Sequence, residues 1–273
     1  MRRLLLALIL LAGCSSAPKG PPDDPTLSRL GHAGDIAFRL EQPEQAAEHY
    51  RAALTRARVR DDGAAIADAG FNLAAAELQA GRARDAMRTA EDLQAELARR
   101  GITDPAFDLI SATAMFRLGD FADADRMAAG LTGGKDLALA DAGWFLRGLI
   151  ADKAGDRPGL EQAVASMSPA ANPADVAELR ARLSHDQALA LHAADLRRDQ
   201  LDYRSMARAL ALAAQLAPSP GEAADLYLRA AHSAAGQGDP AQARIWLGQA
   251  RDLAPDAGLR TEADNGLKEL PAP

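Results

Sequence analysis

The sequence contains few aromatic residues, one cysteine and one long apolar run, and each scarcity excludes a class of protein. Aromatic residues make up 4% of the 273 residues, although hydrophobic residues make up 48%. One cysteine cannot build an intramolecular disulfide framework or a zinc site with several thiolates. The apolar run lies at the N-terminus, so the remaining chain does not resemble a bundle of membrane-spanning helices. The hydrophobic fraction is too high for a disordered chain.

Alanine supplies about half of the hydrophobic residues, and leucine is next. Alanine has the highest helix propensity, and its small side chain lets helices pack closely. The composition therefore predicts an all-α protein. The formal net charge is −7, which is the opposite of the balance that nucleic-acid-binding proteins carry. We therefore expect no nucleic-acid partner.

The N-terminal residues are typical of an exported lipoprotein. Arg2 and Arg3 give a positive start, and the apolar stretch 4–12 is too short to span a membrane but long enough for a signal peptide. The sequence LAGC ending at Cys14 resembles the bacterial lipobox. The resemblance implies removal of residues 1–13, diacylglycerol on the Cys14 sulfur, and acylation of the new N-terminus.

The residues after the cysteine bear on location. Ser15 stands where aspartate would imply retention in the inner membrane. The resemblance therefore implies a bacterial outer-membrane anchor, with the chain facing the periplasm. Residues 14–26 are rich in proline, glycine and aspartate and predict a flexible tether that reaches roughly 30 Å. Loss of residues 1–13 leaves 29 basic against 38 acidic residues, a net charge of −9.

A helix-length pattern recurs through most of the chain. Its clearest copy, residues 225–255, resembles a tetratricopeptide repeat (TPR). The matching positions are Tyr227, Ala230, Ala231, Ala234, Ala243, Leu247, Ala250 and Pro255. Within this copy Gly238 predicts a left-handed helix end, Asp239 an N-cap with Gln242 completing a capping box, and Pro240 the first helical position.

Six copies start near residues 27, 67, 105, 141, 187 and 224. The resemblance implies an all-α, TPR-like α-solenoid of about six helix pairs with a C-terminal cap helix. Residues 27–168 then hold repeats one to four, and residues 176–270 hold repeats five and six plus the cap. Residues 169–175 predict a break or hinge, because the surrounding prolines cannot continue a helix. The alternative is a generic alanine-rich helical bundle.

No motif predicts catalysis, a cofactor or a metal. The sequence lacks HExxH, GxSxG and a glycine-rich dinucleotide loop. Residues 133–135 (GGK) lack the other positions of a phosphate loop, since Ala129 and Asp136 replace the required glycine and serine or threonine. His185 and His192 are seven residues apart, which favours surface histidines over a metal pair. We therefore expect no enzyme; an unrecognised site in the break is the remaining alternative.

The candidate binding site follows from the repeat register, because the first helix of each TPR lines the concave face. Four of the six phenylalanines fall on such positions, with two arginines beside them. The candidate groove residues are Phe38, Arg39, Phe71, Phe116, Arg117 and Phe145. They suggest an apolar groove with basic edges for an amphipathic helix or extended peptide; packing of these phenylalanines between helices is the equal alternative. The carboxylate clamp of chaperone-binding TPRs is absent, since its positions hold Gly31, Asp35, Phe71 and Ala75.

The combined resemblance implies an outer-membrane-anchored scaffold. Its expected partners are envelope proteins or peptides in the groove, and the membrane through the lipid on Cys14. Pilus or secretion-system biogenesis is the first expectation, and β-barrel assembly or regulation of cell-wall synthesis are alternatives within the class. A periplasmic carrier or sensor of a lipid or peptide is the alternative from another class.

Overall fold

A computed structural model describes residues 23–271, which form fourteen α-helices and no strand. The predicted signal peptide, Cys14 and the tether as far as residue 22 lie outside the described residues. The helices are α1 Pro25–Arg39, α2 Pro43–Val59, α3 Gly63–Gln79, α4 Ala83–Ala98, α5 Ala106–Leu118, α6 Phe121–Leu131, α7 Leu137–Ala154, α8 Arg157–Ser166, α9 Pro173–Ser184, α10 Gln187–Asp199, α11 Tyr203–Gln215, α12 Pro220–Gly236, α13 Pro240–Leu253 and α14 Ala257–Glu269. Over this range no helix combines the length and apolarity needed to cross a bilayer.

The turns between helices follow from local capping chemistry. Gly238 adopts a left-handed φ of 71° after α12. Asp239 then accepts a hydrogen bond from the backbone N–H of Gln242 at 3.1 Å, and Pro240 begins α13. The turn predicted from the clearest repeat is therefore confirmed. Asp136 caps α7 in the same way, by accepting from the N–H of Ala138 at 3.0 Å.

Each helix packs against the next along the chain, and short connections make neighbouring helices antiparallel. Alternate helices also meet, as α3 with α5, α5 with α7, and α7 with α9. This packing is that of a TPR-like α-solenoid, so the predicted fold class is confirmed. The last helix, α14, covers α13 and α12.

Alanine occupies the crossing positions of the packed helices. Many buried alanines have no exposed surface at all, among them Ala46, Ala86, Ala128 and Ala193. Their small side chains allow the backbones to approach, while leucines fill the wider gaps. The largest clusters of buried residues lie in α1–α5 and in α9–α14, and smaller clusters join them through α5–α9.

The predicted break at residues 169–175 overlaps the non-helical residues 167–172 between α8 and α9, whereas Pro173 begins α9. Asp141 of α7 accepts hydrogen bonds from the backbone N–H of Ser168 at 2.7 Å and from its hydroxyl at 2.6 Å. These bonds fix the segment against the first helix of the fourth repeat. The predicted repeats that start near residues 141 and 187 do not include the following helix, α9, which is therefore an additional helix between them.

The solenoid curves so far that the connection between α1 and α2 contacts the start of α11, in the C-terminal half of the chain. Glu41, between α1 and α2, accepts a hydrogen bond through Oε1 from the backbone N–H of Tyr203 at 3.2 Å. Tyr203 is the first residue of α11, so the carboxylate lies at the positive end of that helix. Arg117 of α5 also donates to the carbonyl of Leu78 in α3. The described helices therefore enclose a central cavity.

Candidate functional site

The central cavity has a volume of about 690 Å³. The helices that line it are mainly the odd-numbered ones, from the end of α3 through α5, α7, α9 and α11 to α13. The sequence register instead places the first helices of repeats five and six at α10 and α12. The added helix α9 shifts this alternation, so that α11 faces the cavity.

One side of the cavity, which we name the apolar wall, comes from α5 and α7. It consists of Leu109, Phe116, Phe145, Leu146 and Leu149. Leu146 is only 5% exposed and belongs to the core. The other four are half-buried and present part of their surface to the cavity. An apolar ligand group can therefore bury surface here without displacing the core.

The opposite side, which we name the charged wall, comes from α9, α10 and α11. Its charged side chains are Asp175, Glu178, Arg182, Arg197, Arg204 and Arg208. Together with Arg117, Lys153 and Asp239, these make six basic and three acidic side chains in the cavity lining. The cavity is therefore net basic inside a chain whose formal net charge is −7.

Two arginines of the charged wall form ion pairs with carboxylates. Arg182 binds Glu178 at 2.8 Å and Asp152 at 2.7 Å. Desolvation opposes ionisation of Arg182, but these two carboxylates outweigh it and raise its pKa. Arg197 pairs with Asp175 and lies 3.6 Å from Asp202. These groups hold α9, α10 and the start of α11 together.

Other basic groups in the cavity are less engaged by the carboxylates of residues 23–271. Arg208 donates to the hydroxyl of Ser205, one turn earlier on α11, at 2.7 Å. Lys153 lies 5.9 Å from the centroid of the Phe121 ring. Arg204 has a long contact with Asp239, at 3.5 Å.

Arg117, Arg204 and Arg208, which we name the central arginines, influence one another electrostatically. Desolvation by the surrounding helices, with Arg208 and Arg204 nearby, lowers the pKa of Arg117 to about 10, so it stays charged at neutral pH. Desolvation also lowers the pKa of Arg208, although Glu178 and Asp202 oppose this change. Arg117 and Arg208 are both exposed, and both line the cavity. The arrangement favours entry of an anion.

The structure separates the candidate groove residues into two groups. Phe116, Arg117 and Phe145 line the cavity, whereas the other three do not. Phe38 packs against the N-terminal core cluster, and Arg39 is exposed in the last turn of α1. Phe71 contacts the buried Phe107 ring edge to face, with the ring centroids 6.2 Å apart. The predicted groove residues on α5 and α7 thus lie at the cavity, and those on α1 and α3 do not.

Sequence reasoning missed the charged wall. Its signal was the spacing of Arg197, Arg204 and Arg208, at intervals of seven and four residues, which is typical of one helix face. That signal was weak because Arg197 belongs to α10 and the other two to α11. Glu178 lies one turn from Arg182 on α9, whereas the approach of α7 to α9 brings Asp152 to Arg182. The approach of α9 to α10 brings Asp175 to Arg197.

Two further concave regions are present, and one of them adjoins the central cavity. The rim groove, of about 460 Å³, includes Glu41, Gln79, Arg204, Gln237 and Asp239, and the last four also line the central cavity. It is therefore continuous with that cavity.

The second region is an acidic groove of about 500 Å³ between α1, α2 and α3. Within it Tyr50 donates its hydroxyl to Asp35 at 2.8 Å. Burial and Asp35 both raise the pKa of Asp68. This groove has the opposite charge to the central cavity. Across residues 23–271, no group of three or more histidine, cysteine, aspartate or glutamate side chains is placed to hold a metal ion.

No family model matches the sequence, and no curated protein matches it. Among solved structures, the chain is similar to a tetratricopeptide repeat protein from Parabacteroides merdae at 13% identity, covering 89% of this chain and 99% of that one with a TM-score of 0.46. The complex of the TPR2AB domain of yeast Sti1 with pHSP90 shows 17% identity, coverage of 89% and 97%, and a TM-score of 0.32. A thermophilic TPR protein of Thermus thermophilus shows 16% identity, coverage of 89% and 99%, and a TM-score of 0.27. The fold assignment rests on the helix packing of this chain itself.

Proposed function

We propose that this chain is a lipid-anchored interaction scaffold whose central cavity receives a peptide segment of an envelope protein. The observation that carries the proposal is the central cavity itself. The cavity has an apolar wall and a charged wall, and it opens into the polar rim groove. Concave sites with convergent polar groups on an apolar surface are typical binding sites.

Site-specific photo-crosslinking in intact cells tests this role. A photoreactive amino acid at Thr113, which faces the cavity, should capture a defined envelope protein. The same group at Glu91, which is exposed on α4 and outside the cavity lining, is the matched control. Equal capture at both positions would contradict a role for the cavity.

The anchor is part of the proposal and is supported by the lipobox resemblance at Cys14. With the part of the predicted tether that precedes α1, residues 14–24, it would hold the solenoid near the periplasmic face of the outer membrane. The test is metabolic labelling with palmitate and membrane fractionation of the chain with Cys14→Ser. Loss of label and release from the membrane fraction would support the anchor, and unchanged label would contradict it.

The resemblance to TPR lipoproteins extends the proposal to assembly of an envelope machine such as a pilus or secretion system. A second candidate, a carrier of a small amphipathic anion, is favoured by the cavity volume of about 690 Å³. Native mass spectrometry of the full chain separates the two. A bound small molecule without a crosslinked protein would favour the carrier.

A further inference from the structure

We propose that the central cavity selects a peptide segment in which a carboxylate neighbours apolar side chains. The carboxylate binds the central arginines, Arg117, Arg204 and Arg208, and the apolar side chains contact the apolar wall. This inference rests on the proposed function, because it names the chemistry of the segment that the scaffold receives.

The first step is the charge of the cavity lining. Its acidic side chains are already near arginines, with Glu178 at Arg182, Asp175 at Arg197, and Asp239 at Arg204. No carboxylate of residues 23–271 forms an ion pair with Arg117 or Arg208. An incoming carboxylate therefore finds two guanidinium groups without a carboxylate partner and a third with only a long contact. Arginine binds carboxylates through two parallel hydrogen bonds, which are stronger than neutral ones.

The second step is that the side chain of Arg208 forms no hydrogen bond or ion pair with another helix of residues 23–271. Its hydrogen bond goes to Ser205 on the same helix, so it joins no two helices. Arg117, by contrast, donates to the Leu78 carbonyl at the end of α3 and so has a structural role as well. An anionic ligand would account for a guanidinium group that lies in a basic cavity and forms no bond to another helix. Arg208 is therefore the residue that distinguishes binding from folding.

The third step is the choice of a peptide over a lipid. The rim groove continues from the cavity past Gln79, Arg204, Gln237 and Asp239, and its lining is mainly polar. A peptide backbone that leaves the cavity can form hydrogen bonds with these polar groups. An acyl chain would cover the same groups without forming hydrogen bonds to them, which is unfavourable. The carboxylate can belong to an aspartate or glutamate side chain or to the end of the peptide, and the experiment separates these sources.

The experiment uses the full chain, purified in mild detergent, on two arrays of random heptapeptides. One array ends in a free carboxylate and the other in a carboxamide. We expect the wild type to enrich peptides that place a carboxylate beside leucine or phenylalanine. Enrichment on both arrays assigns the carboxylate to an aspartate or glutamate side chain, and enrichment on the free-acid array alone assigns it to the peptide end.

Matched variants then test the arginine. For the best peptide, Arg208→Gln should raise the Kd at least 10-fold, and neutralising the peptide carboxylate as its amide should raise it by a similar factor. Arg180→Gln, an exposed arginine of α9 outside the cavity lining, should leave the Kd within 2-fold. Circular dichroism of all three proteins confirms equal folding.

Enriched peptides without a carboxylate beside apolar residues, or a Kd unchanged by Arg208→Gln, would overturn this inference while leaving the scaffold proposal intact. Failure to enrich any peptide would also overturn it, and crosslinking at Thr113 then decides the scaffold role separately. If a vesicle of anionic phospholipid competes with the peptide through Arg208, the ligand is a lipid headgroup and the peptide assignment is wrong.

Discussion

The two walls of the central cavity differ in what their side chains already contact. The apolar wall on α5 and α7 continues the core, because Leu146 is buried while Phe116, Phe145 and Leu149 are half-buried against it. In the charged wall on α9–α11, Arg197 is buried in ion pairs, whereas Arg208 has only a local hydrogen bond.

This difference indicates that the side chains of the two walls have different roles in binding and in stability. The half-buried side chains offer contact area with little selectivity, since any apolar group can lie against them. Arginines that are paired within the protein add rigidity, and arginines without a carboxylate partner add preference for an anion. Selectivity is therefore expected to reside in the central arginines, and stability in Leu146, Arg182 and Arg197.

The largest expected effect is on the free energy of unfolding, and it distinguishes an arginine in ion pairs from an arginine without a carboxylate partner. Arg197→Met leaves Asp175 and Asp202 without their cation, and loss of one partner of a largely buried pair should cost about 3 kcal/mol of unfolding free energy. Arg208→Met removes no ion pair and should change it by less than about 0.5 kcal/mol. Urea unfolding followed by circular dichroism measures both. Equal losses would show that the two arginines have the same structural role.

The next effect concerns the apolar wall. Phe145→Ser removes a half-buried ring from the cavity and should weaken binding of the enriched peptide about 10-fold, which corresponds to about 1.4 kcal/mol of lost apolar burial. Ile245→Ser changes an apolar residue that is 56% exposed on α13 and outside the cavity lining. It should leave the Kd unchanged. Fluorescence anisotropy gives both values, and a similar loss in the two variants would contradict the assignment of the wall.

A smaller effect is expected where the solenoid closes and sets the walls opposite each other. Glu41→Ala removes the acceptor for the Tyr203 N–H and should cost about 1 kcal/mol relative to Glu41→Gln, which keeps an oxygen in place. Thermal unfolding of the two variants measures the difference. Identical stabilities would mean that this contact does not hold the solenoid closed.

The smallest effect is a pH dependence at the same residue. Burial raises the pKa of Glu41 above 4.5, with Asp202 adding to the increase and Arg204 opposing it. The folded state therefore binds this proton more tightly, and the associated stability is present below pH 4.5 and lost as the pH rises through the raised value. Glu41→Gln cannot ionise, so its stability relative to the wild type should increase from pH 4 to pH 7. A difference that stays constant over this range would contradict the raised pKa.

Local features of the solenoid could be predicted from the sequence because they depend on a few neighbouring residues. The turn at Gly238, Asp239 and Pro240 is one such case. Gly266 is unfavourable inside the cap helix by its helix propensity, but a side chain there would lie 2.9 Å from a methyl carbon of Leu247. The glycine thus lets α14 approach α13, which no local pattern shows.

The central cavity could be predicted only in part. The repeat register predicts Phe38, Phe71, Phe116 and Phe145 at groove positions, and of these Phe116 and Phe145 line the central cavity. After residues 167–172, helix α9 changes which helices face inward, so the central arginines of α11 were not recognised. Their convergence with Arg117 depends on curvature accumulated over several repeats, and small rotations between helix pairs are not encoded in any single motif.

The most direct test is to locate the acidic end of the bound peptide. A photoreactive leucine placed beside the carboxylate of the enriched peptide is crosslinked to the full chain, and the adducts are mapped by mass spectrometry. We expect adducts on residues 109–117 of α5 and 203–208 of α11, which carry part of the apolar wall and the central arginines. Adducts confined to the outer helices α4 and α6, or spread evenly along the chain, would contradict binding in the cavity.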